Sequence, residues 1–374
     1  MEKLKVLVVN DNVIHKRSLI EAINSTGMGS VVHTSTNGTL ALEWLVHNEV
    51  NIVMLDAVIQ GKSNIDTLRS IKNQYPCTEV IMVSDGTPQG VAITLEGLQY
   101  GAFDFIPKMS APACGNLADN TKNQLMVILA QVKIKQDSLI NRQSNFKEMA
   151  VKRSTVIKEA SYQEANNLKV NQFNSLRWDT ADLVLIAAST GGPAALEVLC
   201  GMFPADFEKP VLIVQHMPSE FTKAMAESLG KKCRLPIAEG KDGDIIRKRN
   251  IMISPGGIHM IVENTQGIDK IIRLENAPHV NGVRPAADVL FKSVANAYRG
   301  KKILVVILTG MGNDGTNGVK EIKTQCNCYC MVQSEKTCVV YGMPRCVYEA
   351  GLADEVVDLN DITPRVCQMA LGRS

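Results

Sequence analysis

Two sets of residues in this 374-residue chain have the types and spacing to do chemistry. The first is Ser189, His216 and Asp314. Each follows an apolar run: Leu183–Ala188 ends at Ser189, Val211–Gln215 ends at His216, and Ile303–Leu308 runs into Thr309-Gly310-Met311-Gly312-Asn313-Asp314-Gly315. A hydroxyl, an imidazole and a carboxylate on one edge support nucleophilic catalysis. Ser189 attacks a carbonyl, His216 removes its proton, and Asp314 fixes the tautomer and stabilises the imidazolium. The second set is Asn10 and Asp11, Asp56, Ser84 and Lys108, which also stand at the ends of apolar runs. Asp11 and Asp56 can share a hard divalent cation such as Mg²⁺. Asp56 can accept a phosphoryl group as a mixed anhydride. The metal and Lys108 would neutralise the phosphoryl oxygens, and Ser84 could donate a hydrogen bond to one of them.

Both sets require strands that end side by side. In the N-terminal part, strands are expected at Leu4–Val9, Val31–Ser35, Asn51–Leu55, Glu79–Ser84 and Phe103–Ile106. Helical spacing falls at Leu40–Val46, Leu68–Ile71 and Ala92–Leu98, and a last helix begins near Leu117 and uses Leu125, Ile128, Leu129 and Val132. In the C-terminal part, strands are expected at Leu183–Ala188, Val211–Gln215, Ile251–Ser254, Ile303–Leu308 and Tyr329–Gln333, with Ile271–Leu274 in a small hairpin. Helices fit Pro193–Cys200, Glu220–Leu229, Ala286–Ala297 and Gly318–Thr324. Strand–helix alternation with continuous apolar strands means α/β units, each a doubly wound parallel sheet covered on both faces. Ligands in such sheets sit at the carboxyl ends of the strands, where both residue sets stand. The expected division is residues 1–134, a polar linker at 135–180, and 181–371. The stretch from 135 to 180 is rich in Lys, Asn, Gln and Ser, and no Gly or Pro occurs between Gly115 and Gly191.

Composition narrows the function. Lys plus Arg is 40 and Asp plus Glu 38, so no basic footprint for nucleic acid or a membrane surface is present. No apolar run approaches the roughly 20 residues that span a bilayer, and the start at Met1-Glu2-Lys3 lacks a signal-peptide layout. A cytoplasmic protein is expected. Five of ten cysteines fall between Cys326 and Cys346, but without a CxxC pair or a nearby His; free packed thiols explain them better than a metal. Gly310-x-Gly312-x-x-Gly315 matches a dinucleotide fingerprint, with Glu335 about 20 residues on. That fingerprint normally opens its domain, whereas only about 60 residues follow here.

The N-terminal constellation resembles the receiver domain of two-component response regulators over Lys3 to about Val132. The resemblance implies Asp56 as phosphoacceptor, Asp11 with Asp56 as ligands of Mg²⁺, Ser84 and Phe105 as switch residues, and Lys108 as phosphate partner. Four positions depart from that pattern. Asn10 stands where an acid is usual, Ile59-Gln60 replaces Met-Pro, Asn64 replaces a Gly, and Met109 replaces a Pro.

The C-terminal motifs are Ala188-Ser189-Thr190-Gly191-Gly192, Gln215-His216-Met217-Pro218, Ser254-Pro255-Gly256-Gly257-Ile258-His259-Met260, Arg284-Pro285 with Asp288-Val289-Leu290-Phe291, Leu308–Gly315, and Tyr341-Gly342-Met343-Pro344. In this order they resemble the chemotaxis protein-glutamate methylesterase (CheB) family. The resemblance implies hydrolysis of glutamyl methyl esters on methyl-accepting chemoreceptors, with methanol released, and in some members deamidation of receptor glutamines. A chemotaxis histidine kinase would be the phosphodonor, and ester hydrolysis would need no cofactor. Carried over by motif, the triad is Ser189, His216 and Asp314, and the Met311 N–H is an oxyanion donor. A second donor would come from the turn at Thr190 or from His216, and His259 and Arg284 would border the cleft. In this family the unphosphorylated receiver covers the active site. The competing expectations are a constitutive serine esterase or amidase whose degenerate receiver serves localisation, and a DNA-binding response regulator. The second is disfavoured by an effector that is large, α/β and not basic.

Overall fold

The computed structural model describes residues 3–108, 122, 124–137 and 180–372. Met109, the expected helix start near Leu117 and nearly all of the expected linker lie outside these residues.

The N-terminal unit runs β1 (Leu4–Val9), α1 (Val13–Ser25), β2 (Gly29–Ser35), α2 (Gly38–Leu45), β3 (Ile52–Asp56), a hairpin of β4 (Val58–Ile59) and β5 (Lys62–Ser63), α3 (Ile65–Gln74), β6 (Glu79–Ser84), α4 (Pro88–Gln99), β7 (Asp104–Pro107) and α5 (124–137). Five parallel strands take the order β2-β1-β3-β6-β7. Every residue of β3 and β6 is buried, which is why these strands read as unbroken apolar runs rather than alternating ones. The strand order reverses between β1 and β3, so a crevice opens at their carboxyl ends. The Asn12 side chain caps α1 by accepting from the N–H groups of Ile14 and His15, and so turns the chain away just after Asp11.

The C-terminal unit runs β8 (Leu183–Ala188), α6 (Gly192–Met202), β9 (Val211–Gln215), α7 (Ser219–Gly230), β10 (Ile237–Glu239), β11 (Ile251–Ile253), β12 (His259–Asn264), β13 (Lys270–Glu275), α8 (Ala287–Ala297), β14 (Lys302–Ile307), α9 (Thr316–Gln325), β15 (Asn327–Gln333), α10 (Met343–Glu349), β16 (Glu355–Val357) and α11 (Leu359–Leu371). Seven parallel strands take the order β10-β11-β9-β8-β14-β15-β16. The expected hairpin is present as antiparallel β12 and β13. The three-residue edge strands β10 and β16 were not expected from the sequence, nor were α10 and α11. The central strands β8 and β9 are wholly buried. Each Leu, Ile or Val removed from water there stabilises by roughly 1.5–3 kcal/mol, so the strand ends that carry the site are held firmly.

The two units touch. Helix α4 packs on α6 and α7. The Phe105 ring lies 4.2 Å from that of Phe221, centroid to centroid. Val340 joins the apolar cluster that contains Val83 and Ile106, with Met311 and Val339 packed against it.

Candidate active site

Strand register delivers the three catalytic candidates. Ala188 pairs with Gln215, and Ala187 pairs with Ile307, so β9, β8 and β14 end nearly level. The Ser189 N–H donates to Thr309 O at 3.0 Å, and the His216 N–H donates to Ala188 O at 3.1 Å. The turn after Ser189 closes with the Gly192 N–H on Ser189 O at 2.7 Å. It needs Gly191, whose φ of 77° is the left-handed value that L side chains avoid. Gly310 serves a different purpose: a Cβ there would sit 2.8 Å from the Ser189 Cβ, so only glycine lets the Asp314 loop come this close.

Imidazole and carboxylate meet. His216 Nε2 lies 2.8 Å from Asp314 Oδ2, and the two side chains are 8% and 3% exposed. With Nε2 donating to the carboxylate, Nδ1 keeps the lone pair that can take a proton from Ser189. No Ser189–His216 side-chain hydrogen bond is present among the described residues; such contacts often tighten only with substrate bound. Burial pushes the Asp314 carboxyl up. His216, the Ala287 N–H and the Asn281 amide outweigh it and hold the group below its ordinary value. The Ala287 N–H reaches Oδ2 at 2.6 Å, and the Asp288 N–H reaches Oδ1 at 3.1 Å. A carboxylate fixed this firmly can orient the imidazole and stabilise its charged form.

Other expected residues are placed as follows. Met311 lies in the Gly310–Gly315 loop and packs toward the N-terminal unit. The Thr190 hydroxyl donates to Asp104 Oδ2 at 2.7 Å. Two expectations need correction. The His216 N–H is already bonded to Ala188 O, so it is not free to serve as the second oxyanion donor. His259 does not border a cleft: it is fully buried, Nε2 is 2.9 Å from Pro278 O, and Nδ1 accepts from the Ala286 N–H at 3.2 Å. With both ring nitrogens on backbone, it pins the 278 and 286 segments together. The Arg284 guanidinium is held by Asn276 Oδ1 and Ala277 O, both at 2.9 Å.

Two contributors were missed in the sequence. Gln215 Nε2 donates to Ser189 O at 3.0 Å and to His216 O at 3.3 Å, tying Ser189 and His216 together through their backbones. Its signal was a polar residue ending an apolar strand directly before the His. Asn281 Nδ2 bonds Asp314 Oδ1 at 2.9 Å, and its signal was the Asn-Gly pair between two valines.

The crevice of the N-terminal unit gathers the second set. Asp56 is fully buried and pairs with Lys108 Nζ at 2.9 Å through Oδ2. Burial raises its carboxyl, and Lys108 opposes that rise only in part. Asn10 Nδ2 donates to the same Oδ2 at 2.8 Å. Asp11 Oδ2 accepts from the Gln60 N–H at 3.1 Å. The Ser84 hydroxyl is buried without a hydrogen-bond partner. An orphaned hydroxyl and a lysine beside a carboxylate fit a site that receives a phosphoryl group. Asp11 raises Asp56 through charge, which marks two nearby carboxylates. A hard cation bound through one or two carboxylates, water and phosphate suits this donor set.

Comparison with known proteins covers both units. Residues 184–366 match the family model described as CheB methylesterase, and residues 6–114 match the response regulator receiver domain. A protein-glutamate methylesterase/protein-glutamine glutaminase of Clostridium acetobutylicum is 33% identical over 100% of this chain and 99% of its own length. One of the same description from Geobacillus kaustophilus is 34% identical over 99% of both chains. The crystal structure of the Thermotoga maritima CheB methylesterase catalytic domain is 35% identical, covering 51% of this chain and 99% of its own, with a TM-score of 0.49. The chain therefore belongs to the CheB methylesterase family, the protein-glutamate methylesterase/protein-glutamine glutaminases that carry a response regulator receiver domain.

Proposed function

We propose that this protein removes methyl groups from glutamyl esters on methyl-accepting chemoreceptors with Ser189, His216 and Asp314, under control of phosphorylation at Asp56. The observation that carries the catalytic half is the 2.8 Å contact between His216 Nε2 and Asp314 Oδ2, one strand away from Ser189. His216 Nδ1 takes the Ser189 proton as Oγ attacks the ester carbonyl. The negative oxygen formed there faces the N–H groups of Met311 and the Thr190 turn, near the start of α6 whose dipole favours negative charge. The imidazolium then gives its proton to the leaving methoxide, and methanol departs. A water activated by His216 frees the glutamate. A glutamine side chain could follow the same path with ammonia as the leaving group.

The receiver half rests on the buried Asp56 with Lys108 beside it and the unpartnered Ser84 hydroxyl. Mg²⁺ held by Asp11 and Asp56 would screen charge on the incoming phosphoryl group. The kinase of the chemotaxis array is the fitting phosphodonor. With no expected membrane insertion or nucleic-acid binding, the protein would work in the cytoplasm on the receptors' cytoplasmic part.

Methanol release from methylated receptor membranes tests the proposal. Wild type should release it, and Ser189→Ala should fall on the order of 10⁴-fold or more with its fold intact. An active Ser189→Ala protein would remove the triad from consideration.

A further inference from the structure

Asn281 and Gly282 form a two-residue hairpin corner. Val280 and Val283 exchange both backbone hydrogen bonds, at 3.1 and 3.0 Å. Asn281 has φ 54° and Gly282 φ 77°. Two left-handed residues inside an isolated antiparallel bridge make a type I′ turn, for which Asn-Gly is a preferred pair. The corner aims the Asn281 amide at two buried carboxylates. Nδ2 lies 2.9 Å from Asp314 Oδ1 and 2.8 Å from Asp288 Oδ2. Asp288 in turn accepts from the Gly318 N–H at 2.7 Å at the start of α9.

Resting on the triad reading, we infer that Asn281 is a positioning residue for ester hydrolysis, fixing the Asp314 carboxylate so that Oδ2 faces His216. Each amide hydrogen serves one carboxylate, so a neutral group stands between two acids that would otherwise repel. Its bond to Oδ1, with that of the Asp288 N–H, sets the rotation of the carboxyl plane. Oδ2 is thereby left to His216 and the Ala287 N–H. No other common side chain combines this backbone conformation with two donors on one short arm. Aspartate tolerates the conformation but reverses the polarity, and glycine tolerates it but brings nothing. Burial pushes the Asp288 carboxyl up, and the charge of nearby Asp314 adds to that rise.

The test follows methanol release by the full-length protein across pH, for wild type, Asn281→Gly, Asn281→Asp and Ser189→Ala. Both Asn281 variants suit a positive φ, so the turn persists, and a thermal melt checks it. Asn281→Gly should lower kcat roughly ten- to a hundredfold with KM little changed, the rate equivalent of one hydrogen bond to a charged group. The acid limb of kcat/KM reports protonation of the base. A less compensated Asp314 favours the imidazolium, so this limb should move to higher pH in Asn281→Gly and further in Asn281→Asp. A purely structural turn residue would leave the limb where it is. Wild-type kcat in Asn281→Gly, or superimposable limbs in all active proteins, would overturn the inference while leaving the triad standing. Activity in Ser189→Ala would overturn both.

Discussion

The Thr190 hydroxyl donates to Asp104 Oδ2 at 2.7 Å, across 86 positions of sequence, and so ties the turn beside Ser189 to the last strand of the receiver. The same face holds the Phe105–Phe221 ring pair and the Met311–Val339–Val340 patch. Thr190, the residue after Ser189, and the loop that carries Met311 are therefore both in contact with the receiver. Movement of β7 would be felt at the catalytic edge directly, through touching side chains, without any relay.

Asp104 makes that contact pH-sensitive. Burial pushes its carboxyl from the ordinary 3.8 to about 6, with the bonds from Thr190 and the Phe105 N–H opposing. The docked arrangement therefore binds the proton more tightly than the undocked one. Docking is strongest below pH 3.8 and weakens as pH rises toward about 6, and linkage allows up to roughly a hundredfold across that window. An asparagine side chain at this position would imitate the protonated acid: its oxygen keeps the Phe105 N–H, and its amide can donate to the Thr190 oxygen. Asp104→Asn should thus lower basal ester hydrolysis of the full-length protein at about pH 7.5, above the window in which the acid loses its proton. Equal or higher activity in the variant would count against a proton-linked contact.

Asn10 bears directly on the proposed Mg²⁺ site. Its amide donates to Asp56 Oδ2 where an acid would repel it. Asn10→Asp exchanges that bond for a third carboxylate in a buried crevice. Without Mg²⁺ the variant should melt several degrees below wild type, since losing a buried charge-assisted bond costs about 1.5–3 kcal/mol. Adding Mg²⁺ should return more stability to the variant than to wild type. Melting curves with and without the cation check this without any activity assay, and a variant indifferent to Mg²⁺ would refute it.

How much could be read beforehand depended on whether the signal was local. Leu183–Ala188 is the same strand in sequence and structure because six buried residues in a row leave no alternative. Edge strand β16 escaped notice: three residues with Val356 nearly half exposed carry no periodicity. Helix α11 was obscured by Pro364 within it, which ordinarily argues for a break. Ser189, His216 and Asp314 were legible because strands deliver them to one edge. His259 was misjudged because a motif locates a residue in the chain but not the direction of its ring. Thr190 and Asp104 could not be paired in advance, since nothing in either local pattern mentions the other unit.

The buried setting of His259 is directly testable. Replacing it with Ala leaves the Pro278 carbonyl and the Ala286 N–H without their partner in a buried place. The expected cost is about 1–3 kcal/mol for each stranded group. Thermal unfolding should therefore fall clearly, while KM for receptor ester, measured on the folded fraction, should stay near wild type. A raised KM with unchanged melting would return His259 to the substrate cleft.

Control by phosphorylation is the prediction with most at stake. A phosphoryl group on Asp56 adds oxygens that Lys108 and the orphaned Ser84 hydroxyl can both serve. Lys108 follows directly on β7, and its N–H donates to Ser84 O at 2.6 Å, so drawing these two groups inward displaces the strand end that carries Phe105. Phe105 is the receiver's half of the ring pair with Phe221, and so docking and phosphorylation compete for the same strand. The effect cannot exceed the difference in phosphoryl affinity between docked and undocked forms. Full-length protein should therefore hydrolyse receptor ester more slowly than a chain beginning at Thr180, and a small phosphodonor with Mg²⁺ should narrow the gap. Asp56→Asn should abolish the response and keep basal activity. Ser84→Ala should accept label yet respond less, because it lacks the hydroxyl that couples label to strand movement. Equal rates for full-length protein and the shorter chain, with and without phosphodonor, would mean that the receiver is not an inhibitory lid. Its contact with α6 and α7 would then hold the enzyme in a fixed orientation for localisation, and binding to the chemotaxis kinase in a pull-down would be the measurement that decides it.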